Sequence, residues 1–146
     1  MTDITILVLG GTGTISRPVV RESIKKGCRV YCLNRGAHKN ENGVNFIKGD
    51  FYNLDTWIDK ISMLSFDVVV DFLSREKEDI GRIYPVLSKK CKQYVFISSA
   101  CVYDRRQNKA PFNETSTKPD ARWSYSIEKY ESEQLLVSLS KTQKGA

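Results

Sequence analysis

An α/β fold built on a doubly wound parallel sheet is predicted by three features of this 146-residue sequence. The apolar run Ile6-Leu7-Val8-Leu9 is cut by Gly10, Gly11 and Gly13 and gives way to a helical pattern, in the order strand, tight turn, helix. Further apolar, β-branched runs then alternate with stretches of helical periodicity. One of them, Asp67-Val68-Val69-Val70-Asp71-Phe72, is almost wholly apolar, as befits a strand buried on both faces of a parallel sheet. Right-handed crossovers make 3-2-1-4-5 the simplest strand order.

The elements follow in sequence. After the glycine turn, Ile15, Val19, Val20 and Ile24 recur at helical spacing, with Pro18 in the first turn and Gly27 at the stop. Arg29 to Arg35 reads as the second strand, and the polar stretch Gly36 to Gly43 is too short for a full crossover helix. Val44 to Lys48 forms the third strand and leads into Gly49-Asp50. Asn53 is expected to cap a helix whose apolar positions are Leu54, Trp57, Ile58 and Ile61. Asp67 to Phe72 is the fourth strand, and a helix over about 76–90 carries Pro85. The fifth strand, Tyr94 to Ile97, runs into Ser98-Ser99-Ala100-Cys101-Val102-Tyr103. A polar loop with Pro111 and Pro119 precedes a last helix over about 123–141.

Composition narrows the class. With 40% hydrophobic and 27% charged residues the chain reads as one globular domain over 1–141, followed by a flexible tail at 142–146. No apolar run reaches the roughly 20 residues of a membrane span, and the first nine residues are too short for a secretory signal, so a cytoplasmic protein is expected. Cys28, Cys32, Cys91 and Cys101 form no C-x-x-C pair and have only His38 for company; reduced thiols and no metal site are expected. The net charge of +6 suits an anionic ligand. Its basic residues are spread along the whole chain without an aromatic-flanked cluster, which weighs against nucleic acid.

Ligands of such sheets bind beyond the carboxyl ends of the strands, and five features converge there: Gly10 to Ser16, Arg35, Asp50, Phe72-Leu73-Ser74 and Ser99. The turn Gly10-Gly11-Thr12-Gly13-Thr14-Ile15 lets the backbone approach a pyrophosphate, which then meets the amides and positive dipole end of the following helix. A glycine-rich turn can also serve the chain alone, wherever a residue at positive φ is needed. About 25 residues after Gly10, where an acidic side chain would meet the adenosine ribose of NAD, stand Asn34 and Arg35. A guanidinium there can take a 2′-phosphate, which tilts the expected cofactor from NAD toward NADP; the bland alternative is a strand-end arginine facing water.

Tyr125 and Lys129 form a Y-x-x-x-K pair, whose spacing stacks phenol and ammonium on one helix face. With the glycine turn and Ser98-Ser99, in this order, the chain from Thr5 to about Leu136 resembles the extended short-chain dehydrogenase/reductase family, and within it the NAD-dependent epimerase/dehydratase group. The resemblance implies a Rossmann-type fold and matches Gly10, Gly13 and Ser16 to the family's G-x-x-G-x-x-G, with Ser16 in place of the third glycine. It places Asp50 near the adenine and assigns a catalytic triad to Ser99, Tyr125 and Lys129. In that triad Lys129 stabilises a tyrosinate by its charge and holds the nicotinamide ribose, Tyr125 moves the proton, and Ser99 orients the substrate. Dehydratases of the family resemble Thr-Asp-Glu where this chain has Ser99-Ala100-Cys101, so the epimerase or reductase arrangement is the closer one. A nucleotide sugar is the substrate class the resemblance implies.

Family chains continue for as much again and supply a substrate lobe. The expectation for this chain alone is therefore weak dinucleotide binding, self-association as a homo-oligomer and poor turnover. Two other classes stay open: a dinucleotide-binding module without turnover, and an RNA-binding relative of the fold.

Overall fold

The computed structural model describes residues 4–116, 119 and 122–143. The chain divides into two compact units, one of Met1–Leu73 with Val86–Phe96 and one of Ser74–Pro85 with Ile97–Ala146.

The first unit holds the sheet. Strands β1 (Thr5–Leu9), β2 (Arg29–Asn34), β3 (Asn45–Lys48), β4 (Phe66–Asp71) and β5 (Cys91–Phe96) pair in parallel in the order β3-β2-β1-β4-β5, as the sequence predicts. Register is what builds the site. Leu9 pairs with both Leu33 and Asp71, and Asn34 pairs with Lys48, so the residues that follow each strand emerge side by side. Alternation along β1 sends Ile6 and Val8 to the face covered by helix α1 (Ser16–Lys25), where they join Val20, Ile24, Val30, Cys32 and Phe72. Leu7 and Leu9 point the other way and are equally buried. Burial of the central strand β1 on both faces explains why it reads as a continuous apolar run.

Two glycines in the turn after β1 are there for stated reasons. Gly10 sits at φ +85°, a conformation that side chains bearing a Cβ rarely adopt. Gly11 lies against the core: a Cβ on it would come within 2.5 Å of Cys32 Sγ and 3.2 Å of Val20 Cγ2. Gly11→Ala is therefore expected to cost about 2 kcal/mol by overpacking, read as a lowered urea midpoint. Adding Cys32→Ala should return much of that loss; if the two substitutions simply add, the close approach is not the cause.

One expected element is different. Residues 54–61 form two 3₁₀ turns, Leu54–Thr56 and Asp59–Ile61, instead of a capped helix, and the Asn53 side chain caps nothing. Trp57 breaks the helical path at φ −146°. Its indole N–H donates to the Asp50 carbonyl at 3.0 Å, and its Cβ lies where a Cβ on Gly49 would come within 2.5 Å. Burying the indole against the end of β3 thus outweighs helical periodicity in a segment too short to nucleate well. β5 also begins earlier than the apolar pattern suggests, at Cys91.

In the second unit a 3₁₀ turn (Ala100–Val102) precedes helix α3, Ser124–Gln143. Helix α2 spans Lys77–Leu87, includes Pro85 and passes into a 3₁₀ turn over Ser88–Lys90. The tail expected over 142–146 falls, from residue 144 onward, outside the described residues. No helix of the described residues is long and apolar enough to cross a membrane.

Candidate functional site

The carboxyl ends of β1, β2 and β3 enclose a cavity of about 280 Å³. Gly10, Thr12 and Gly13 line it from the first turn, Asn34 and Arg35 from the end of β2, and Asp50 and Leu73 from the ends of β3 and β4. Seven of the sequence-predicted positions therefore meet in one place. Gly13 is exposed, and a Cβ on it would make one tight contact, with Ser16 Oγ at 3.3 Å, and lie 3.9 Å from Gly10 O. Thr14 and Ile15, predicted with Gly13, do not line this cavity; both are exposed just ahead of the first turn of α1, where amides lack intrahelical acceptors.

Ser16, standing where the family has a third glycine, ties the turn together. Its hydroxyl donates to the Gly10 carbonyl at 2.5 Å and accepts the Gly13 N–H at 3.0 Å. A glycine could not make this bridge, so the departure from the motif adds rigidity to the loop that a phosphate would meet.

Other side chains are already committed. Asn34 Oδ1 accepts the Gly36 N–H at 2.9 Å while its Nδ2 donates to Asn40 Oδ1 at 2.8 Å, which shapes the loop after β2. Asp50 Oδ1 accepts the Tyr52 N–H at 3.0 Å. Phe72 packs into the apolar cluster under α1 and does not line the cavity; Gly11 serves the same packing. Buried Asp71 accepts the Leu73 N–H at 2.9 Å and the Tyr94 hydroxyl at 2.5 Å, and so fixes the turn that carries Leu73.

Sequence reasoning passed over His38, Phe51 and Tyr52, all of which line the cavity. Tyr52 is 65% exposed, unusual for an aromatic side chain, and it follows Asp50 by two residues; that proximity was the available signal. The four cysteines are free thiols, and burial pushes Cys32 up to about 12 and Cys91 up to about 11, which keeps both in the unreactive thiol form.

The second unit assembles the other candidates. Lys129 on α3 is buried, and its ammonium donates to the carbonyls of Ser74 at 2.7 Å and Ile97 at 3.0 Å. Four residues on, Glu133 accepts the Ser98 hydroxyl at 2.6 Å, so α3 is fastened twice to consecutive residues. Ser99 Oγ accepts the Cys101 N–H at 3.3 Å and caps the 3₁₀ turn. Half-buried Tyr125 is held through its ring, with the Arg75 guanidinium 5.4 Å from the centroid and the Trp123 ring at 5.6 Å. Arg75 is itself aimed by Glu128, 3.2 Å from its Nε.

A five-stranded parallel sheet in the order 3-2-1-4-5, with a glycine-rich turn at its switch point, defines a Rossmann-type, doubly wound fold. The particular family follows from the sequence itself: residues 6–145 match the model of the NAD dependent epimerase/dehydratase family, and the chain belongs to that family. The chloroplast stem-loop binding protein of 41 kDa b from Arabidopsis thaliana is 30% identical over 148 aligned residues, which cover 91% of this chain and 38% of that protein. Among solved structures, dTDP-glucose 4,6-dehydratase from Bacillus anthracis in complex with NAD superposes with a TM-score of 0.77 at 18% identity, covering 97% of this chain and 52% of that one. UDP-glucose 4-epimerase from Bifidobacterium longum in complex with NAD+ and UDP gives 0.73 at 22%, covering 94% and 49%. The chain thus spans between about two fifths and one half of the length of these relatives.

Proposed function

We propose that the chain carries the cofactor-binding and proton-transfer residues of an NAD(P)-dependent epimerase or reductase acting on a nucleotide-sugar-like substrate. The observation that carries this reading is the cavity at the ends of β1, β2 and β3, where an open glycine turn, a ribose-level pair Asn34 and Arg35, and Asp50 come together. The turn Gly11 to Ile15 would hold the cofactor's pyrophosphate, since amides there and the helix dipole favour an anion. Arg35 and Asp50 would meet its adenosine end. The bound cofactor supplies hydride exchange at carbon. Ser99 orients a substrate hydroxyl or carbonyl, Tyr125 moves its proton, and the ammonium of Lys129 stabilises the phenolate by charge. With Ala100 and Cys101 following Ser99, no carboxyl stands there to drive water elimination, which favours epimerisation or reduction over dehydration.

Isothermal titration of the purified chain with NAD, NADP and their reduced forms tests the reading. Saturable binding of at least one form is expected, and a folded chain that binds none of them overturns it. Arg35 is exposed at the cavity rim, so a 2′-phosphate contact there favours NADP by on the order of 1–2 kcal/mol. Arg35→Ala should narrow the NADP preference about tenfold and leave NAD affinity nearly unchanged. Equal affinity for both cofactors in the parent chain sinks this assignment.

One observation favours a second reading, nucleic-acid binding: the Arabidopsis relative is by name a stem-loop binding protein. In this chain Arg35, Lys48 and Lys60 line one shallow cavity, beside the exposed rings of Phe46 and Tyr52. Basic side chains with accessible aromatic faces are what a nucleic-acid strand uses. Fluorescence anisotropy with an RNA hairpin separates the two readings: micromolar, salt-sensitive binding lost in Lys48→Ala/Lys60→Ala supports the second, and its absence leaves the first.

A further inference from the structure

A second cavity adjoins the glycine turn on the side of α1, lined by Thr12, Gly13, Thr14, Arg17, Arg21 and His38 among others. Thr12, Gly13 and His38 line both cavities, so the two adjoin at the glycine turn. Arg17 and Arg21 lie one helical turn apart, and both guanidinium groups are turned onto a single carboxylate, Glu41, from the loop after β2. Arg21 Nε reaches Glu41 Oε2 at 2.9 Å, whereas Arg17 Nε stands 3.4 Å from Oε1. Arg17 Nη2 instead donates to the Thr12 carbonyl at 3.2 Å, inside the glycine turn. The hydrogen bond from Arg21 and the nearby positive charges hold the Glu41 carboxyl below the usual carboxylate range.

We infer that Glu41 is a specificity-determining residue, an internal anion that latches Arg17 and Arg21 and that a ribose phosphate of the bound nucleotide must displace. The inference rests on the dinucleotide reading above and adds a regulator of its phosphate selectivity. Three features support it. The guanidinium pair lines the second cavity and Arg35 the first, and both cavities are walled by Thr12, Gly13 and His38, so three cations are gathered around one glycine turn where a phosphate would be attracted. The latch is weak, because its side chains are 38%, 56% and 21% exposed and one of its two contacts is long. A phosphate offers three charged oxygens to planar guanidinium groups where Glu41 offers two, so it is the better partner once present. NAD carries no charge at that position and leaves the latch closed.

The test compares the parent chain, Glu41→Gln and Glu41→Gln/Arg17→Ala by titration with NADP and NAD, and by thermal shift with inorganic phosphate. Glu41→Gln should bind NADP three- to tenfold more tightly with NAD affinity unchanged, and adding Arg17→Ala should remove the gain. An unchanged NADP-to-NAD ratio, or equal tightening of both, overturns the latch. If neither dinucleotide binds the parent chain, the dinucleotide reading falls and phosphate alone decides the latch: greater stabilisation of Glu41→Gln than of the parent by inorganic phosphate upholds the seat, and equal stabilisation overturns it.

Discussion

Gly13→Asp is expected to abolish the proposed dinucleotide binding and to leave the chain folded. Gly13 is exposed and does not sit at positive φ, so a side chain is tolerated by the backbone. Its Cβ would meet only Ser16 Oγ and Gly10 O, at 3.3 and 3.9 Å, and the carboxylate beyond it would enter the cavity that Thr12, Asn34 and Arg35 line. There it faces the two negative charges of a pyrophosphate. At about 4 Å and an effective dielectric constant of about 20, each such pair repels by on the order of 4 kcal/mol, enough to lower affinity by far more than 100-fold. Circular dichroism and a thermal melt close to those of the parent would accompany the loss. A folded variant that titrates like the parent places the pyrophosphate elsewhere.

Lys129→Met is expected to destabilise the chain by about 2 kcal/mol, whereas Tyr125→Phe leaves stability within about 0.5 kcal/mol of the parent. The difference follows from how each side chain is held. Lys129 is only 5% exposed and gives two charge-assisted hydrogen bonds, to Ser74 O and Ile97 O, that methionine cannot replace. Methionine recovers the packing of the alkyl stem and avoids burying a charge, which keeps the loss modest. Tyr125 is held through its ring by Arg75 and Trp123, contacts that phenylalanine retains in large part. Urea unfolding of both variants reads these effects. Turnover measured alongside separates anchoring from chemistry: a proton-transfer role for Tyr125 requires Tyr125→Phe to lose at least 100-fold in kcat at unchanged stability. A Tyr125→Phe chain as active as the parent reduces Tyr125 to a packing residue.

All five strands and their order could be read from the amino-acid sequence: the central strands β1 and β4 show the apolar, β-branched runs that burial on both faces demands, and the edge strand β3 is marked off by the turn residues on either side of it. The same logic located the glycine turn and the strand ends that carry Asn34, Arg35, Asp50 and Leu73, since ligand-facing residues of such sheets follow the strands directly. Helical periodicity in 54–61 misled, because the pattern records which residues are buried and not how. One indole hydrogen bond to Asp50 and one glycine at position 49 turn the segment into two 3₁₀ turns.

What only the tertiary structure decided are the contacts between residues far apart along the chain. Asp71 bonded to Tyr94 is one, Lys129 held by Ser74 and Ile97 another, and Glu41 clamped by Arg17 and Arg21 a third. Each depends on where a carbonyl or carboxylate comes to lie once the strands have paired in register and the loops have closed. Composition and periodicity carry the burial that drives folding; the direction of a hydrogen bond is decided afterwards, by geometry, and leaves no periodic trace in the sequence.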